Sequence, residues 1–97
     1  MARAFIISSY LGQPAAENLA EYAGPARKAI EANGGRFIVR GMPVHTYEQG
    51  RAERTIVIAF DSVEQAMAAY ESADYQAARK LLGPVERDIR VVECAEQ

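Results

Sequence analysis

The chain has few of the residues from which metal and redox sites are usually built. Its 97 residues include one cysteine, Cys94, one histidine, His45, and no tryptophan. A single cysteine excludes a disulfide within the chain, and one cysteine with one histidine cannot supply the ligands of a zinc site. The acidic residues lack the spacing of a calcium-binding loop. We therefore expect neither a bound metal nor a cofactor.

The net charge is small, and the apolar runs are short. The net charge is -2, and the 11 lysines and arginines are scattered, so the basic stripe typical of nucleic-acid binding is missing. No apolar run approaches the roughly 20 residues of a membrane span. The first residues superficially resemble a signal peptide, but Ser8 and Ser9 interrupt a pattern that alternates like a strand. The sequence predicts no nucleic-acid partner, no membrane partner and a cytoplasmic location.

The chain does contain a central segment, residues 54–76, that begins as a strand and continues as a helix. The strand at residues 55–60 is apolar on both faces, which is typical of a strand that is covered on both sides. Ser62 and Gln65 then have the spacing of a helix capping box. Ser72 is predicted to cap a second, short helix.

The other segments give the order of elements. Helical spacing covers residues 15–33, with a kink or break expected at Gly24-Pro25. Strand patterns cover residues 4–9, 36–40, 52–60 and 89–94, the middle two forming a long hairpin that residues 44–47 extend. The order βαββαβ predicts an α+β fold. It is one ferredoxin-like domain over residues 1–97, an antiparallel sheet with its helices on one face.

Alternation along the strands sorts their side chains into two faces. We assign the uniformly large, apolar set to the face under the helices: Phe5, Ile7, Phe37, Val39, Ile56, Ile58, Phe60, Ile89 and Val91. The second set is mixed but still substantially apolar: Ile6, Ser8, Tyr10, Ile38, Arg40, Thr55, Val57, Ala59, Val92 and Cys94. No segment remains to cover this second face, and monomers rarely expose an apolar patch above a few hundred Å². Two copies packed about a twofold axis would cover it, so a homodimer through the open sheet face is predicted.

Several segments together resemble the family named domain of unknown function 1330, small proteins of the dimeric α/β barrel superfamily. The matching pieces are Tyr22 in the first helix, GGRFIVRG (34–41), IVIAFDSVEQAMAAY (56–70), ESADYQAAR (71–79) and ERDIRVVE (86–93). Met42 stands where the family usually has a second glycine. The resemblance implies a ferredoxin-like fold in which the sheets of two chains stack face to face in a dimeric α/β barrel.

The best candidate site is aromatic and cationic. Tyr22 and Tyr70 lie on the apolar stripes of their helices, and Tyr75 and Arg79 are four residues apart on the short helix. If a pocket between helices and sheet is lined by these phenols and this guanidinium, it would bind a carboxylate or a carbonyl-bearing aromatic ligand. The simpler interpretation is that the tyrosines are core residues with hydrated hydroxyls.

Arg40 and His45 are the remaining candidates. Arg40, on the mixed face, could hold an anion near the dimer interface, or form a salt bridge to Glu53 or Asp61 of the other chain. His45 could act as a general base if Glu48 or Glu53 oriented it. It lies in a loop-like segment, however, where a solvated histidine is the simpler interpretation.

Three functions are consistent with these residues. The first is a homodimeric protein that binds a small organic acid or aromatic metabolite through Tyr22, Arg40, Tyr70, Tyr75 and Arg79. The second is a cofactor-independent isomerase or monooxygenase-like enzyme, an interpretation that rests on analogy of fold. The third is a structural interaction module without a ligand. We favour the first.

Overall fold

The structure, a computed structural model, describes residues 2–95. Its elements are β1 (Ala4–Tyr10), α1 (Ala16–Ala32), β2 (Arg36–Gly41), β3 (Thr55–Phe60), α2 (Val63–Glu71), α3 (Ala73–Arg79), a 3-10 turn (Lys80–Leu82) and β4 (Arg87–Glu93). The strands form one antiparallel sheet in the order β2-β3-β1-β4. This is the ferredoxin-like α+β arrangement, and the predicted fold class is confirmed. Among residues 2–95, no helix has the length and apolarity needed to cross a bilayer.

The helix starts follow the predicted serine caps. Ser62 Oγ accepts a hydrogen bond from the Gln65 amide at 3.0 Å, and Gln65 Oε1 accepts one from the Asp61 amide at 2.9 Å. Ser72 ends α2 and caps α3, where its Oγ accepts from the Tyr75 amide at 3.2 Å. Each cap satisfies backbone N–H groups that a helix start leaves unpaired. The second cap also fixes Tyr75 in the first turn of α3.

One predicted interruption and one predicted extension differ from the structure. The break at Gly24-Pro25 is wrong, because α1 continues through Pro25 and buries Ala26, Ala29 and Ile30 beyond it. This packing outweighs the one backbone hydrogen bond that a proline cannot make. β2 and β3 pair antiparallel as predicted, but the extension of this hairpin by residues 44–47 is wrong, since β2 ends at Gly41, β3 begins at Thr55, and residues 42–54 form a loop.

The predicted faces of β1 are reversed. Ile6 lies opposite Ile58 and Ser8 opposite Ile56, so Ile6 and Ser8 share the face that packs under the helices. Phe5 and Ile7, the two residues of β1 in the predicted core set, point to the other side, because alternate residues of a strand face opposite ways. The strand is central and apolar on both sides, so its alternation alone did not indicate which side the helices cover.

A bulge in β2 reverses the faces of Val39 and Arg40 as well. Phe37 pairs with Ile58 and Val39 with Val57, which leaves Ile38 as an extra residue between them. One extra residue inverts the alternation for the rest of the strand. Val39 therefore lies on the face away from the helices. Arg40, which pairs with Ile56, lies on the helix side rather than on the mixed face to which it was assigned.

The turn after α1 depends on two glycines. Gly34 has a φ of +86°, the left-handed conformation in which a glycine commonly ends a helix. Gly35 is buried where α1 meets the sheet. A Cβ built on Gly35 would lie 2.5 Å from Ile30 Cγ2 and 2.9 Å from Phe60 Cε1. Both neighbours are core side chains, so neither can move without disturbing the packing.

Gly35→Ala is therefore expected to destabilise the protein by about 1–3 kcal/mol, the usual cost of overpacking a core. The control is Gly24→Ala, inside α1, where an added Cβ meets no atom within 4 Å. That change should stabilise the protein by about 1 kcal/mol, since alanine favours helix more than glycine does. Urea unfolding measures both. Shifts of the same sign would contradict the packing of Gly35.

Candidate ligand-binding site

A cavity of about 50 Å³ lies between the sheet and the helices. This volume is several times the roughly 10–15 Å³ that one water molecule needs. Its apolar walls come from α1 and the central strands, and include Ile6, Ile30, Ile56 and Ile58. The polar side chains that line it are Ser8, Tyr10, Tyr22, Arg27, Arg40, Arg54, Tyr70, Tyr75 and Arg87. Apolar walls with a few convergent polar groups are typical of a small-molecule site.

The polar groups gather at one end of the sheet. Arg87 of β4 lies opposite Tyr10 of β1, and the Tyr10 amide donates to the Arg54 carbonyl at 2.9 Å. Arg54, Tyr10 and Arg87 thus form a row across three adjacent strands, and all of them line the cavity. In the next row along the strands, Arg40 and Ser8 occupy the same face. Beyond that row, the floor of the cavity is apolar.

Arg87 is joined to two tyrosines that come from different helices. Its Nη1 donates to Tyr75 Oη at 3.0 Å and to Tyr22 Oη at 3.2 Å, and the two hydroxyl oxygens are 2.7 Å apart. The guanidinium also lies over the Tyr22 ring, 5.7 Å from its centroid. We call Arg87, Tyr22 and Tyr75 the anion cradle. It brings α1, α3 and β4 together at the polar end of the cavity.

The hydroxyl hydrogens of the anion cradle are not all used within it. Of Tyr22 and Tyr75, one hydroxyl donates to the other, so the second keeps a hydrogen for another acceptor. Burial, followed by the neighbouring Tyr75, raises the pKa of Tyr22 well above its usual range. Tyr22 is therefore a neutral hydrogen-bond partner near pH 7, and the arginine beside it is always charged. Together Tyr22 and Arg87 present hydrogen-bond donors to a negatively charged acceptor.

Among residues 2–95, the cavity is lined by arginines and by no carboxylate. Arg27 pairs with Glu31 at 3.0 Å, but Arg40, Arg54 and Arg87 have no carboxylate partner among residues 2–95. Two polar atoms on the cavity, Arg54 Nε and Ser8 Oγ, are buried without a hydrogen-bond partner in the described part of the chain. Such unpaired groups are rare in folded proteins. An anionic ligand would neutralise the charge of these arginines and would accept hydrogen bonds from the unpaired donors.

Most of the residues singled out from the sequence lie at this cavity. Tyr22, Tyr70 and Tyr75 line it, and the Tyr70 and Tyr75 ring centroids are 5.2 Å apart. Arg40 lines it from β2, with its guanidinium 5.4 Å from the centroid of the Phe37 ring. Arg79 does not reach the cavity: it is exposed and donates to Gln76 Oε1 at 2.9 Å.

His45 lies away from the cavity. It is exposed in the loop of residues 42–54, and its ring lies 4.7 Å from that of Tyr47. Glu53, suggested as a partner of His45 or of Arg40, instead makes an ion pair with Arg51 at 2.5 Å. Within residues 2–95, no group of three or more histidine, cysteine or acidic side chains is placed to hold a metal ion.

Sequence reasoning missed the residues that the sheet contributes. In the sequence Arg87 stands beside Asp88 like one of a pair of surface charges, but Asp88 pairs with Arg90 at 3.0 Å instead. Alternation could have found Arg87, because it is two residues before Ile89, which was placed on the helix side. Tyr10, Arg54 and Ser8 follow once the faces of β1 are corrected, since they share rows with Arg87 and Ile89.

Comparison with known proteins agrees with this architecture. Residues 3–95 match the family described as a domain of unknown function (DUF1330). A protein of unknown function from Rhodopseudomonas palustris has a similar fold, with a TM-score of 0.71, 13% identity, and 99% of this chain and 85% of that chain covered. A dimeric protein of unknown function with a ferredoxin-like fold, from Bacteroides fragilis, gives a TM-score of 0.58, 19% identity, and 97% and 98% coverage.

A third similar structure carries the name of an enzyme class. It is a candidate antibiotic biosynthesis monooxygenase from Nitrosomonas europaea, with a TM-score of 0.61, 12% identity, and 99% of this chain and 94% of that chain covered. At such identities the likeness shows the fold alone. No protein with a curated description matches the chain.

Proposed function

The chain belongs to the DUF1330 family, and we propose that it is a small homodimeric protein that binds a small organic acid in the cavity between helices and sheet. The observation that carries this proposal is the anion cradle. Arg87 is half-buried, is hydrogen-bonded to Tyr22 and Tyr75, and has no carboxylate partner within residues 2–95. The carboxylate of a ligand would form with Arg87 the ion pair that no carboxylate of residues 2–95 forms.

The tyrosine rings allow the acid to have an aliphatic or an aromatic body. Tyr22 meets Tyr75 edge to face, with ring centroids 6.3 Å apart, and Tyr70 lies beside Tyr75. Aromatic rings favour such edge-on and offset arrangements, which a ligand ring could extend. The isoleucines of the floor suit an aliphatic chain equally well.

A monooxygenase-like enzyme is the second candidate, because the fold likeness extends to the Nitrosomonas europaea protein. Proton transfer needs a group whose pKa is near the working pH and which lies within hydrogen-bond reach of the substrate. His45 is exposed in the loop and does not line the cavity, and Tyr22 stays protonated. The side chains around the cavity therefore support binding more strongly than acid–base catalysis.

The dimer is supported by the sheet face that no helix covers. Phe5, Ile7, Val39, Val57 and Val92 lie on this open face. Val39 and Val92 remain 46% and 41% exposed in the single chain, although both sit among apolar neighbours. Two open faces packed together would remove this surface from water. The Bacteroides fragilis protein, which shares the fold, is named as dimeric.

Acids matched with their neutral amides test the binding proposal. In a thermal-shift and calorimetric series, butyrate, hexanoate and benzoate are expected to stabilise the protein, whereas butyramide, hexanamide and benzamide should not. Tyr75→Phe removes one cradle hydroxyl and should weaken acid binding about tenfold, the value of one charged hydrogen bond. Tyr47→Phe, in the exposed loop, is the control and should bind normally. Equal binding of acids and amides would overturn the proposal.

A further inference from the structure

The cationic groups of the cavity fall into two poles rather than one. The first is the anion cradle on β4, with Arg87 at its centre. The second starts at Arg54, which lies at the entry to β3, on the far side of Tyr10 in the same cross-strand row. Adjacent strands are about 4.8 Å apart, so two spacings separate the backbones of Arg87 and Arg54 by about 10 Å. A small ligand with one anionic group cannot lie beside both of these strand positions at once.

Arg40 belongs to the second pole. It pairs with Ile56 across β2 and β3, and Arg54 is two residues before Ile56 on the same face. Diagonal neighbours of this kind are about 7–8 Å apart, within reach of two long side chains. Neither Arg40 nor Arg54 has a carboxylate partner among residues 2–95. Arg40 is exposed and its long side chain can reach towards Arg54, so an anion between the two guanidinium groups would be stabilising.

The space between the poles is also polar. Tyr10 lies between Arg54 and Arg87 in the row, and Ser8 lies beside it in the next row. The Arg87 guanidinium lies over the Tyr10 ring, 5.8 Å from its centroid, and burial raises the pKa of Tyr10, so its hydroxyl stays protonated near pH 7. A ligand bound only at the anion cradle would leave Arg54 Nε and Ser8 Oγ buried and unpaired.

From this arrangement we propose that the ligand is a short-chain dicarboxylate, one carboxylate on Arg87, Tyr22 and Tyr75 and the other on Arg54 and Arg40. The inference rests on the proposed binding function and specifies its ligand class. Ile56 and Ile89 lie on either side of Ser8 in the next row, where they line the cavity and would contact the short methylene body. The cavity of about 50 Å³ limits the length of that body.

Paired acids of equal carbon number test the two-pole arrangement by calorimetry. Succinate is compared with butyrate, glutarate with valerate, and adipate with hexanoate. The best diacid should bind wild-type protein about tenfold more tightly than its matched monoacid, the worth of a second charged hydrogen-bonding group. Arg54→Gln should remove that advantage and change monoacid affinity less than about twofold. Arg40→Gln should reduce the advantage in the same direction.

Arg51→Gln is the control, because Arg51 is exposed, pairs with Glu53 and does not line the cavity. It should bind both acids normally. A wild-type protein that binds monoacids and diacids equally would overturn the two-pole inference and leave the proposed function standing. Equal weakening of both acids by Arg54→Gln would overturn it too, even if wild-type protein favours diacids. Failure of every acid to bind would overturn both proposals.

Discussion

Val57→Asp is expected to halve the mass of the protein in solution. Val57 lies at the centre of the open face, opposite Ile7 on one side and Val39 on the other. In a dimer packed through this face, the new carboxylate would be buried without a partner, at a cost of several kcal/mol for each copy. Multi-angle light scattering should change from twice the chain mass of 10.6 kDa to a single chain mass.

Ala68→Asp is the matched control, since Ala68 is exposed on α2 and away from the open face. It introduces the same charge and should leave the mass unchanged. The far-ultraviolet circular dichroism of Val57→Asp should stay close to wild type, because Val57 lies outside the core under the helices. A Val57→Asp protein with the mass of the wild-type dimer would contradict the interface.

Arg87→Met is expected to weaken acid binding about 100-fold. Methionine keeps much of the length and apolar stem of arginine but removes the charge and all the N–H donors. A hydrogen bond to a charged group contributes about 1.5–3 kcal/mol, and a close ion pair adds to it. Tyr22 and Tyr75 keep their mutual 2.7 Å hydrogen bond, so the fold should persist. Isothermal titration with the best acid measures the loss.

Two comparison variants distinguish the effects of the charge, of the guanidinium geometry and of the position of the arginine. Arg79→Met removes an arginine that is exposed outside the cavity, and it should bind acids like wild type. Arg87→Lys keeps the charge but loses the planar fork, so its affinity should lie between wild type and Arg87→Met. If Arg79→Met weakens binding as much as Arg87→Met does, the ligand site is not in this cavity.

The fold could be predicted because its local signals agree with one another. Ser62 and Ser72 cap the helices that they were expected to cap, and each of the four strands lies where a strand pattern was found in the sequence. These signals act within a few residues along the chain. They determine the order of elements, and the order βαββαβ with right-handed connections leaves few topologies to choose from.

The site was only half predictable, and the two halves differ physically. Tyr22, Tyr70 and Tyr75 come from helices, whose apolar stripes show directly which side chains point inward. Tyr10, Arg54 and Arg87 come from the sheet, where the inward face depends on which side the helices choose. Arg54 and Arg87 lie two residues before Ile56 and Ile89, which were placed on the helix side, so alternation indicates their face. β1 is apolar on both sides, so the face of Tyr10 is decided by tertiary packing and leaves no local signal.

The bulge at Ile38 has a consequence for how this protein and its relatives can diverge. The extra residue in β2 places Arg40 on the helix side, where it lines the cavity, and Val39 on the open face. If Ile38 were paired in register instead of bulged, Val39 and Arg40 would exchange faces, which would place a cation on the open face and an aliphatic side chain at the cavity. In the proposed dimer, self-association and selectivity for acids would thus both depend on one bulge in an edge strand.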